Sequence, residues 1–106
     1  MLYLIAVIAT FPKLYDTDTA TKIADKEEYF GSNNFRNIFE TLYKKKTGEF
    51  FLAGEGGPLT KYAEDCGEMK TFGEAIFPLT TEEAKNWAEV NMSAEDYIDL
   101  FGEPEK

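Results

Sequence analysis

The spacing of apolar residues changes twice along this chain. Residues 2–9, inside "MLYLIAVIATF", are an almost unbroken run of Leu, Ile, Val, Ala and Tyr, which predicts a strand. "KLYDTDTATKIAD" (13–25) is mixed: Asp16 and Asp18 suit a turn, and "TATKIA" alternates like a short strand. A helix from Thr19 competes, because Ala20, Ile23 and Ala24 also fall at helical spacing. "EEYFGSNNF" (27–35) reads as a loop. In "NIFETLYK" (37–44), Ile38, Glu40, Leu42 and Lys44 share one face, and Phe39, Thr41 and Tyr43 the other. "KKTG" then turns, with Gly48 free to take a positive φ, and "EFFLAG" (49–54) returns, which predicts an antiparallel hairpin. Lys44, Lys45 and Lys46 cluster at its tip, where charge discourages edge pairing. "AIFPL" (75–79) is a short strand that Pro78 ends or confines to an edge.

From Thr80 the period becomes helical. Thr80 or Thr81 caps "LTTEEAKNWAEVNM", with Glu82 and Glu83 in the electropositive first turn. Ala84, Trp87, Ala88 and Asn91 fall on one side, with Trp87 as the expected anchor onto the sheet. Ser93 and Asp96 have capping-box spacing for a second helix, Tyr97, Leu100 and Phe101 form its apolar stripe, and Gly102 ends it. The predicted fold is α+β: a small antiparallel sheet of about four to five strands, including the 37–54 hairpin, followed by two short C-terminal helices. The chain of 106 residues reads as a single domain, 1–106.

Charge changes this picture more than composition does. The formal net charge is −9. Met1–Lys61 carries 8 Lys/Arg and 8 Asp/Glu, whereas Tyr62–Lys106 carries 3 and 12, so the whole excess lies in the C-terminal part. Such a surface repels nucleic-acid backbones and attracts basic ones, so no direct nucleic-acid binding is expected. The apolar run at 2–9 is about half the length of a membrane span and has no basic residue before Lys13, so neither a signal peptide nor a membrane segment is expected. With one cysteine there is no internal disulfide, and a cytoplasmic location follows as the simpler expectation. Leu2–Ile8, as an apolar strand, leaves a homodimer open.

No nucleotide-binding, thiol-activating or calcium-loop motif is complete in the chain. "GEGGPLTK" places Lys61 after Thr60 instead of glycine, and Tyr62 where a P-loop has Ser or Thr. Pro58 also removes a backbone donor, and Leu59 breaks the dinucleotide pattern. The glycines are therefore expected to supply positive φ angles and close packing. Cys66 has no histidine anywhere in the chain to activate it and is flanked by Glu64, Asp65 and Glu68, which predicts an inert, partly buried thiol. Asp16 and Asp18 open like a calcium loop, but Ala20 breaks the pattern. No catalytic, cofactor-binding or metal residue is predicted, and the protein is expected not to be an enzyme. What remains is a partner-binding set: Glu82, Glu83, Glu89, Glu95, Asp96 and Asp99 on the helices, with Glu55 in the glycine-rich segment as a contact loop.

"LYDTDTATKIA", "TLYKKKTGEFFLAGEGGPLTKYA" and "PLTTEEAKNWAEVNMSAEDYIDLFGEPE" resemble a family of short acidic proteins carried on plasmids, integrative elements and phages of Firmicutes. The resemblance covers about Lys13 to Glu105, and "MLYLIAVIATF" fits it less well. Small acidic proteins of such elements include anti-CRISPR inhibitors. The resemblance implies a mobile-element inhibitor of a basic, nucleic-acid-binding host defence protein, for example an RNA-guided nuclease or its guide-loading surface. The alternatives are a small Mg²⁺-dependent enzyme acting on nucleic acid, and an accessory or regulatory domain with no inhibitory role.

Overall fold

The computed structural model describes residues 2–8 and 11–103. Its strands are β1 (Tyr3–Ile8), β2 (Phe11–Asp16), β3 (Thr21–Glu28), β4 (Ile38–Lys44), β5 (Phe50–Gly56), β6 (Glu64–Cys66), β7 (Met69–Thr71) and β8 (Gly73–Leu79). Helices α1 (Thr81–Asn91) and α2 (Ala94–Phe101) follow. The main sheet has four strands in the order β3-β4-β5-β8, all antiparallel. β1 with β2, and β6 with β7, form two separate hairpins. The expected α+β arrangement is therefore present. Ala9, the last residue of the predicted first strand, lies outside the described residues.

The predicted 37–54 hairpin forms, and β5 continues two residues further, to Gly56, opposite Ile38. Lys45–Glu49 closes it, with Gly48 at φ 95°. Segment 13–25 resolves as strand, turn, strand, and Asp16 makes the turn by accepting the Asp18 amide through Oδ1 at 2.8 Å. Pro78 lies in β8, an edge strand, where a missing backbone donor breaks no ladder.

Alternation along β5 sets the layering. Phe51 and Ala53 face one side of the sheet, with Tyr15, Ile76 and the half-buried Leu4 and Ala6 of the β1–β2 hairpin. Phe50 and Leu52 face the other, with Leu42, Ala84 and the half-buried Trp87, Leu100 and Phe101. The sheet is thus sandwiched between a β-hairpin and two helices. Glu49 pins the hairpin side: its carboxylate accepts from Lys13 Nζ at 3.1 Å and Tyr15 Oη at 3.3 Å. Lys45, expected at the exposed tip, folds back over the Tyr15 ring at 4.4 Å.

Candidate interaction surface

The helices begin where the sequence places them. Thr80 caps α1 in a full capping box: its Oγ1 accepts the Glu83 amide, and Glu83 Oε1 accepts the Thr80 amide. The backbone and hydroxyl of Thr80 hold the Glu83 carboxyl below the usual carboxylate range. Glu83 therefore serves α1 itself. Ser93 caps α2 by accepting the Asp96 amide at 3.1 Å, and Gly102 ends it at φ 86°.

At 100° per residue, Glu82 and Glu89 lie along one line of α1, opposite the buried Ala84 and Ala88. They are about 10 Å apart along the axis at 1.5 Å per residue. Glu95 and Asp99 likewise share the outer face of α2, opposite Leu100 and Phe101, with Asp96 in its first turn. All five side chains are exposed, and none joins an ion pair among the described residues. The only base on either helix, Lys85, lies over the Phe101 ring at 5.9 Å. The structure thus brings Glu82, Glu89, Glu95, Asp96 and Asp99 onto the outward faces of one layer.

Glu55 is not part of that layer. It is a strand residue of β5, opposite Phe39 on one neighbour and Glu74 on the other. Because Gly54 and Gly56 face the helices, Glu55 points to the opposite side. There it lines an open groove of about 490 Å³ with Asp18, Asp25, Glu27 and Glu74 over a floor of Phe39, Thr41 and Ala53. This second acidic surface escaped the sequence reading. The register of β3, β4 and β8 against β5 assembles it, and only the alternation of β3 hinted at it.

The glycine-rich segment also differs from expectation. None of Gly54, Gly56 and Gly57 has a positive φ; only Gly31, Gly48, Gly67 and Gly102 do. The three are glycines for space. A Cβ on Gly54 would stand 2.5 Å from the Tyr62 ring and 2.6 Å from the Phe39 carbonyl oxygen. Lys61 and Tyr62 fold across this bare stretch of sheet to reach Glu40, whose side chain is 1% exposed. Tyr62 Oη donates to Glu40 Oε2 at 2.8 Å, Lys61 Nζ pairs with the same oxygen, and Trp87 Nε1 donates to Oε1 at 3.3 Å. Burial alone would push the Glu40 carboxyl up, but the hydrogen bonds from Lys61, Tyr62 and Trp87 and the Lys61 charge bring it below its ordinary value. Burial, with the Glu40 contact second, drives the Tyr62 phenol far above its ordinary value. Lys61 is thus committed to an internal carboxylate, and the loop has no free cation to offer a phosphate.

Gly54→Ala should lower the unfolding free energy by about 1–3 kcal/mol, the usual cost of overpacking a filled site. Chemical denaturation checks this, and an unchanged midpoint would show that Tyr62 gives way freely.

Cys66 is exposed at the β6–β7 turn, not partly buried as expected, because the three-residue strands on either side have no core to pack against. Trp87, the expected anchor of α1, is half-buried against the sheet core and reaches Glu40 of β4, while Ala84 and Ala88 are fully buried beside it. Among the described residues no three His, Cys, Asp or Glu side chains are grouped where they could hold a metal, and no helix is long and apolar enough to cross a membrane. No protein-family model, curated protein or solved structure matches the chain.

Proposed function

We propose that the protein is a non-enzymatic interaction protein that binds a basic, nucleic-acid-binding partner through the outer faces of α1 and α2. The observation that carries this is that Glu82, Glu89, Glu95, Asp96 and Asp99 are exposed on the outer faces of α1 and α2, and none of them joins an ion pair among the described residues, with Lys85 lying over the Phe101 ring. Carboxylates left unneutralised together in a chain of charge −9 project a field that steers and orients a basic surface. The resemblance to small acidic proteins of mobile elements narrows the partner to a host defence protein in the bacterial cytoplasm, with an RNA-guided nuclease as the specific candidate. Such a nuclease holds guide and target in electropositive channels and reads them through the backbone, so an acidic layer competes for the same cations.

The test is a titration of the purified protein into a recombinant RNA-guided nuclease, free and guide-loaded, at low and physiological salt. Tight binding to the free nuclease that weakens with salt is expected. Reversing Glu82, Glu89, Glu95, Asp96 and Asp99 to Lys should weaken it by at least about 100-fold, since juxtaposed like charges cost several kcal/mol. Reversing Glu27 and Glu74 in the groove should leave affinity within about threefold. Binding unchanged by the helix reversals overturns the acidic-face mechanism, and no binding at all overturns the choice of partner.

A further inference from the structure

The strands of this protein have several free edges, and they are not protected alike. β3, one edge of the main sheet, carries Lys22 and Lys26 and a register irregularity between Lys22 and Ala24. β8, the other edge, carries Pro78. β2 carries Pro12 and Lys13. β6 and β7 are three residues long, and each holds a charge. Lysine, proline, bulges and short length are the devices by which strands avoid pairing with another chain. β1, "YLIAVI", has none of them, and its only strand partner among the described residues is β2. Its outward side chains are apolar too: Tyr3 is 57% and Ile5 61% exposed, beside Leu14 of β2 at 48%.

We infer that β1 is a self-association edge, on which a second copy of this chain lays its own β1 antiparallel about a two-fold axis. The two hairpins then join into one sheet in the order β2-β1-β1-β2. An antiparallel pair of identical edges is isologous, so each copy satisfies the other's free backbone groups and the assembly closes at two. The chemistry favours a second copy over a charged partner, because β1 contributes no charge to a chain of −9. The opposing force is repulsion between two acidic molecules, to which the groove of Asp18, Asp25, Glu27, Glu55 and Glu74 on the hairpin side of the main sheet contributes. The helical carboxylates lie across that sheet from the hairpin, and physiological salt screens exposed charges more than about 8 Å apart. This inference is independent of the reading of the helices.

Sedimentation equilibrium of the full chain over a wide concentration range tests it. The mass should rise from 12.0 kDa to about twice that value, and added salt should strengthen the association or leave it unchanged. That is the opposite of the salt dependence expected for binding a basic partner. Ile5→Lys and, separately, Tyr3→Lys place a charge on the exposed face of β1 and should weaken the dimer at least about 10-fold, with the unfolding midpoint preserved at dilutions where the wild type is monomeric. Amide exchange over Tyr3–Ile8 should slow as wild-type concentration rises. A monomer at every concentration overturns the inference. So does a dimer that both substitutions leave intact, or one in which β1 exchange is independent of concentration.

Discussion

Phe51→Ala is expected to lower the unfolding free energy by about 3–5 kcal/mol, the range for removing a fully buried aromatic side chain. Phe51 is 0% exposed near the start of β5, stacked on Tyr43 at 5.1 Å and met edge-on by Tyr15 at 5.7 Å. Among the described residues, Tyr15 is the buried side chain that the β1–β2 hairpin contributes to this cluster. Losing the ring therefore opens a cavity at the seam between hairpin and sheet, where the backbone of a central strand cannot close it. Phe51→Leu keeps most of the volume and should cost about 1–2 kcal/mol. Urea denaturation of both variants checks the ordering. Equal costs would mean that the hairpin contributes no packing at this position.

Glu40→Ala has the second large effect, a loss of about 3 kcal/mol, because it leaves the buried Tyr62 hydroxyl and the Trp87 indole without their acceptor, at about 1–3 kcal/mol for each orphaned donor. Lys61 is half-exposed and can turn to water, so its lost pairing adds little. Glu40→Gln keeps an acceptor and should cost less. The two variants also differ from wild type in acid. The folded Glu40 carboxyl lies below its ordinary value of 4.5, so its contribution is fully present above that value and is lost as pH falls through the depressed folded one. Wild type should therefore lose stability relative to both variants only below about pH 4.5. Denaturation midpoints between pH 3 and 7 measure this, and a constant gap across that window would show that folding leaves the Glu40 pKa unshifted.

Local information accounts for what the sequence revealed. The β4–β5 hairpin is written in alternating residues around a glycine turn, and both helix starts are written in Thr80–Glu83 and Ser93–Asp96, three residues apart. The acidic residues of α1 and α2 were legible for the same reason, since helical spacing fixes their face. Glu40 was placed on the correct side of β4, but not as a buried anion. Its partners stand 22 and 47 residues away at Tyr62 and Trp87, and no local pattern joins them. Glu55 was misplaced because "GEGG" looks like a loop, whereas β8 pairs with β5 as far as Gly56 and holds it as strand. The β6–β7 hairpin was missed because "EDCGEMKT" has no apolar face to give a period.

The modest anchorage of α2 bears on how its carboxylates would meet the partner proposed for them. The helix has eight residues, too few to persist alone in water. It has no fully buried residue; Leu100 and Phe101 reach the core only in part, and Tyr97 rests on the Phe101 ring at 5.0 Å. Such a segment opens and recloses far more often than the whole domain unfolds. Glu95, Asp96 and Asp99 thus ride on the part of the molecule that can yield to the contour of what it meets, while Glu82 and Glu89 ride on a helix seated by Ala84 and Ala88. In the proposed complex the two halves of the acidic surface would divide the work: α1 would offer a fixed template that costs little entropy to engage, and α2 fit gained at the expense of its own freedom.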